Sequence, residues 1–114
     1  MKHRVMITGL GTVCPIGNNA NTAFQSAVEG VCGIDVATKF DTEKTGITAA
    51  GEVKDFESVF PVSKREAKRL DLFTQFALAA AFEAWNDAGI HDGDLDKNRV
   101  GVVLGSGMGG LETI

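Results

Sequence analysis

Apolar residues gather in short unbroken runs near both ends of this sequence and recur at helical spacing between them. "RVMITGLG" (4–11) reads as a buried strand running into a glycine turn, and "RVGVVL" (99–104), bare of polar side chains after Arg99, as a second buried strand suited to a parallel sheet. "TVCPIGNN" is an irregular loop, since Pro15 opposes regular pairing. Asn21 is a fair N-cap for a short helix, "TAFQSAVE", that Gly30 ends from the C′ position. Residues 31–60 are mixed, with some alternation in "AGEVKDF" that suggests a minor surface strand. Ser63 and Glu66 then form an S-x-x-E capping box at the head of a long helical stretch. In it Ala67, Leu70, Phe73, Ala77, Ala80, Ala81 and Ala84 recur at steps of three and four and mark a buried face. The small side chains of "ALAAAFEAW" let another element come close, Gly89 closes the helix, and "HDGDLDKN" is a polar loop. The order of strand, helix, irregular segment, long helix and strand predicts an α/β fold, incomplete with two convincing strands.

A hydrophobic share of 44% is enough for a core, and no apolar run approaches a membrane span. Thr8 and Gly9 interrupt the first apolar stretch too early for a signal-peptide core. Two cysteines, Cys14 and Cys32, with neither C-x-x-C spacing nor a disulfide framework, suit a reducing cytoplasm. The net charge of −4 argues against a nucleic-acid binder. Its distribution is uneven: "KREAKR" (64–69) holds four basic residues and one acidic one, a local +3, against −7 for the remainder. Such a patch fits either an acidic partner steered to one spot or a solvated helix face.

Gly105, Gly107 and Gly110 satisfy the dinucleotide fingerprint G-x-G-x-x-G after an apolar run. Context opposes it, because the motif needs a following helix and an acidic residue about 20 positions on, and only four residues follow Gly110. Near the N-terminus Gly9 and Gly11 are followed by Cys14 where a third glycine would stand. His3 and His91 have no ligand spacing and read as surface histidines. Asp92, Asp94 and Asp96 faintly resemble a calcium loop, but Val103 occupies the place of its bidentate glutamate, so a solvated turn and no metal are expected. Cys14 and Cys32 have no activating neighbour and read as buried or half-buried structural residues. No catalytic residue is visible.

Taken together, "VMITGLGTVCPIGNN", "FDTEKTGITAAGEVKDF", "LDLFTQFALAAAFEAWNDAGI" and "RVGVVLGSGMGG" resemble the N-terminal part of a β-ketoacyl-acyl carrier protein synthase, in order and spacing, from Arg4 to Ile114. "FDT" with "AGEVKDF", and the loop "GSGMGG", point to the type II enzymes of fatty-acid elongation. The resemblance implies that residues 1–114 are part of an N-terminal thiolase-like domain (a layered α/β/α/β/α fold), with no complete second domain. The implied reaction is acyl transfer by decarboxylative Claisen condensation, through a cysteine and two histidines that match no residue of this chain. By the same resemblance "GSGMGG" is the glycine turn beside an acyl channel, and Met108 falls where a side chain gates the acyl tail. A flexible methionine suits that role, and filling a core gap or dimer interface is compatible with it. Arg65, Lys68 and Arg69 match positions that dock the acidic acyl carrier protein, with Lys64 beside them less clearly matched. Presented on nearly one face of a helix head, they would hold an acidic helix by several ion pairs.

The resemblance further implies a cytoplasmic homodimer in the complete enzyme, with no dissociable cofactor, nucleic acid or membrane. A chain-length-factor-like subunit that binds carrier without condensing is the alternative, and a dinucleotide-binding fragment a third. In the implied fold later strands lie between the first two, so alone 4–10 and 99–104 would expose apolar faces and unpaired edges.

Overall fold

The computed structural model describes residues 3–56, 63–91, 93 and 95–110. These fall into two compact units, residues 12–57 and residues 1–11 with 58–114.

In the first of these, capping chemistry sets the helix. Helix α1 (Ala20–Val28) starts two residues before the sequence pattern suggests, because extended Asn19 rather than Asn21 is the cap, its side-chain oxygen accepting the Thr22 amide at 2.8 Å. The C-terminus closes as expected. The Gly30 amide donates to the Ala27 carbonyl at 3.2 Å and the Val31 amide to that of Ser26 at 2.8 Å, the paired bonds of a Schellman motif with Gly30 at φ 73°.

The mixed segment contains more order than its pattern reveals. Strand β1 (Ile34–Val36) pairs antiparallel with β2 (Ala49–Gly51), Asp35 opposite Ala50. Between them lies the one-turn helix α2 (Thr42–Thr45), capped by the Asp41 carboxylate and ended by Gly46. The minor strand expected over 50–56 is thus β2, shorter and displaced toward the N-terminus. Polar clamps hold this ribbon. The Glu52 carboxylate accepts from the Thr38 amide at 3.0 Å, the Thr38 hydroxyl at 2.7 Å and the Lys39 amide at 3.1 Å. Lys54 pairs with Asp35 at 2.8 Å, and the Asn18 side-chain amide donates to the carbonyls of Lys54 and Asp55. Ala37 is the unit's buried hydrophobic residue among those described.

In the other unit the capping box forms at the head of α3 (Lys64–Ala67). Ser63 Oγ accepts the Glu66 amide at 3.2 Å, and Glu66 Oε2 accepts the Ser63 amide at 3.0 Å and its hydroxyl at 2.6 Å. The expected single long helix is broken after Ala67. Asp71 at ψ 149° cannot continue it and starts a second helix, α4 (Leu72–Asp87), while the Leu70 carbonyl takes a 2.9 Å hydrogen bond from the Gln75 side chain. The buried face is also narrower than its spacing implies. Ala67 and Ala79 are buried, Leu70, Ala77, Ala80 and Ala84 are half-buried, and Phe73 and Ala81 are exposed.

The small-residue stretch is used as anticipated, by close approach of backbone. A β-carbon added at Gly9 would collide with the Ala84 carbonyl oxygen, and one at Gly11 with that of Ala80. The Leu10 amide donates to Asp87 Oδ2 at 2.9 Å, fixing this segment along α4. Neither 4–11 nor 99–104 is a strand, contrary to the expectation from their composition. Both lack a ladder partner among the described residues, and without one apolar composition does not make a strand. Val5 at 92% exposure and Val103 at 100% face outward, the open apolar surface anticipated for an incomplete sheet.

Candidate functional site

Two surface features carry the residues singled out in the sequence, and both lie in the unit built around α4. The first is the basic turn. The Ser63–Glu66 box starts one helical turn, buried Ala67 anchors it, and the chain turns back through bonds from the Arg69 amide to the Glu66 carbonyl (2.9 Å) and from the Leu70 amide to that of Ala67 (3.0 Å). Arg65 lies on α3, whereas Lys68 and Arg69 lie in the turn beyond it, so the three do not share one helix face as the spacing suggested. All three are exposed, and among the described residues none is ion-paired. Glu66 is held below the usual carboxylate range, first by the Ser63 hydroxyl and then by its amide, and so stays ionised within the basic run.

The second feature is the glycine-rich loop 105–110. Ser106 Oγ accepts the Gly109 amide at 3.1 Å, and Gly109 takes φ 68°. Met108 between them is 76% exposed. A β-carbon built at Gly109 would lie 3.9 Å from Phe73 Cζ, which places the ring tip of Phe73 beside the loop. Sequence reasoning took Phe73 for a core residue and passed over Ser106, although a serine three residues before a glycine is a legible turn signal.

The remaining candidates assemble no reactive centre. Cys14 is half-buried, its backbone exchanging two hydrogen bonds with Gly17. Cys32 is exposed rather than buried, because it sits in the loop ahead of β1, uncovered by any element among the described residues. His3 and His91 are at the surface. Asp92 and Asp94 lie outside the described residues, while Asp96 caps the 3-10 turn Lys97–Arg99 through the Asn98 amide at 3.1 Å. Among the described residues no group of three or more His, Cys, Asp or Glu could hold a metal ion, and no helix is long and apolar enough to cross a membrane. An open pocket of about 270 Å³ is lined by Trp85, Leu95, Lys97 and Val100 and includes none of the residues singled out in these two features.

Comparison with known proteins gives these features a context. The family described as "Beta-ketoacyl synthase, N-terminal domain" matches residues 2–114. The chain is 47% identical over 110 residues to a Staphylococcus aureus 3-oxoacyl-[acyl-carrier-protein] synthase 2, covering 96% of this chain and 27% of that protein. To the Synechocystis sp. protein of the same name it is 41% identical over 113 residues, covering 99% of this chain and 27% of that one. Among solved structures it is similar to the ishigamide ketosynthase/chain length factor, with a TM-score of 0.65 at 34% identity, covering 78% of this chain and 22% of that chain. The chain therefore spans about 27% of the length of the curated relatives it matches. The small α/β piece, with helices and one two-stranded sheet among its described residues, fits a segment of a thiolase-like fold.

Proposed function

Since the chain belongs to the β-ketoacyl synthase family, matching its N-terminal domain across residues 2–114, we propose that it is part of that domain in a fatty-acid-elongating condensing enzyme. The observation that carries this is the 47% identity to a 3-oxoacyl-[acyl-carrier-protein] synthase 2 along 96% of the chain. In this reading a cysteine thiolate supplied by the rest of the enzyme attacks an acyl thioester and releases the carrier thiol. Two histidines then assist malonyl-carrier in losing carbon dioxide, and the carbanion formed attacks the enzyme-bound acyl group and expels the thiolate. The enzyme acts as a cytoplasmic homodimer, with substrates delivered on the carrier's phosphopantetheine arm and no dissociable cofactor.

This chain contributes two functions. The exposed cations of Arg65, Lys68 and Arg69 dock the acidic acyl carrier protein, and Met108 gates the acyl tail. The exposure of all three cations, unengaged by described carboxylates, leaves them open to an acidic partner, and the similarity to carrier-dependent synthases favours docking over a merely solvated face. The similarity to a ketosynthase/chain length factor supports a second reading, a chain-length-factor-like subunit that binds carrier without condensing. The residue at the nucleophile position of the complete protein separates the two. The dinucleotide reading predicts binding of a nicotinamide cofactor, and none is expected.

The test is a chimera in which this segment replaces the corresponding part of the Staphylococcus aureus relative. We expect malonyl-dependent elongation of acyl-carrier. Reversing all three charges (R65E, K68E, R69E) should raise KM for the carrier with little change in kcat. Exposed ion pairs contribute about 0.2–1 kcal/mol each, so the combined effect is on the order of tenfold at low salt and fades as salt rises. An unchanged KM would remove the docking role.

A further inference from the structure

Met108 owes its position to the backbone on either side of it, because its own side chain is 76% exposed and packs little. On the N-terminal side, Ser106 Oγ accepts the Gly109 amide at 3.1 Å and closes a turn that spans Gly107 and Met108. On the C-terminal side, Gly109 holds the left-handed region at φ 68°, which residues bearing a β-carbon disfavour. The space a β-carbon would enter there faces Phe73, whose Cζ would be 3.9 Å from it. Phe73 sits in the first turn of α4, so its ring stands beside the loop from the longest described helix of its unit.

We infer that Ser106 and Phe73 are positioning residues for Met108 and that through it they set the range of acyl-chain lengths the enzyme accepts. The inference rests on the proposed role of Met108 as the gate to the acyl channel. Its physical basis is that methionine has three rotatable side-chain bonds and adapts to whatever it touches. A side chain so pliable discriminates between ligands only if its Cα is held. The Ser106 hydrogen bond and the Phe73 ring supply that hold, and loosening either lets Met108 retreat, which favours long acyl tails over short ones.

The experiment uses the full-length chimera and compares kcat/KM for palmitoyl- and octanoyl-carrier. Ser106→Ala deletes the acceptor while leaving an exposed loop unburdened, and Ser106→Thr restores the hydroxyl. Phe73→Leu removes the ring tip but keeps an apolar side chain. For loss of one hydrogen bond we expect the palmitoyl-to-octanoyl ratio to rise about three- to tenfold in Ser106→Ala, with Phe73→Leu moving the same way and Ser106→Thr remaining near the parent. Met108→Ala is the control on the underlying role. If Met108→Ala shifts the ratio and neither positioning variant does, the inference is wrong while the gate stands. If Met108→Ala leaves the ratio alone, the gate itself fails and the inference with it. A second readout needs no turnover. With 13C-methyl methionine in the folded chimera, the Met108 signal should move or broaden in Ser106→Ala and return in Ser106→Thr, and an unmoved signal overturns the inference.

Discussion

Replacing Gly11 by alanine is the sharpest available test of the packing of residues 9–11 against α4. A β-carbon at Gly11 would overlap the Ala80 carbonyl oxygen and stand 2.8 Å from the Ala84 amide nitrogen and 2.9 Å from the Ala80 carbonyl carbon. Comfortable separations between such atoms are about 3.5–4.0 Å, so the segment must withdraw by on the order of 1 Å. All three obstructing atoms belong to the helix backbone, and no side chain can rotate away to accommodate the methyl group. Overpacking of this kind costs about 1–3 kcal/mol, and the rigidity of the obstacle argues for about 2 kcal/mol or more. At roughly 2–4 °C per kcal/mol for a domain of about 150–250 residues, the melting temperature should fall by about 4–8 °C. Gly93→Ala is the matched control, since among the described residues no atom beyond its chain neighbours lies within 4 Å of its β-carbon position, and a surface substitution of this kind stays within about 0.5 kcal/mol. Thermal melts of the two variants in the full-length chimera, followed by circular dichroism, decide the matter. If Gly11→Ala melts with Gly93→Ala, the segment does not pack against α4 as described.

Two further predictions follow from the same structure. The 114-residue polypeptide expressed by itself should aggregate or unfold without a cooperative transition, because Val5, Ile7, Val102 and Val103 are 80–100% exposed on segments without a ladder. A sharp melt from a species of monomeric mass would contradict this. In the β1–β2 unit, hydrogen bonds from the Thr38 hydroxyl and amide lower the pKa of Glu52 from its ordinary 4.5. Because the folded-state value is the lower one, the stabilisation is present above the unfolded-state pKa and is lost as pH falls through the folded one. The Thr38 amide proton should therefore titrate below pH 4.5 in the full-length chimera, and Glu52→Gln should abolish that titration. A Thr38 signal indifferent to pH would rule out the clamp.

What could be read from the sequence was what the chain decides locally. The Ser63–Glu66 box, the Gly30 terminus of α1 and the approach of a backbone to the alanine-rich face of α4 each depend on residues a few positions apart, or on the absence of a side chain, and each was legible. The break at Asp71 was legible in principle, since aspartate favours an N-cap, but the unbroken helical periodicity across it was the stronger signal. Strands were a different matter. Whether "VMI" and "VGVVL" become strands depends on neighbours remote in the chain, and their composition carries no record of whether those neighbours are present. β1 went unseen for the converse reason, as three residues beside a glycine are too few to show alternation. At the candidate site, the resemblance supplied Met108 and the cations. The Ser106 hydroxyl makes a local turn that the sequence could have signalled, whereas the Phe73 ring comes beside Gly109 only through the fold.

The polar clamps of the β1–β2 unit carry a thermodynamic consequence. Heat capacity of unfolding comes from apolar surface newly exposed to water, and exposed polar surface subtracts from it. A ribbon fastened by the Glu52 carboxylate, the Asp35–Lys54 pair and the Asn18 amide, with Ala37 its one buried side chain among the described residues, has little apolar surface to expose. Its own stability curve should consequently be shallow, gaining and losing little across tens of degrees, where a domain with a full hydrophobic core shows a pronounced dome. Local opening of this ribbon, followed by hydrogen exchange at several temperatures, would then vary far less with temperature than the melt of the enzyme that carries it.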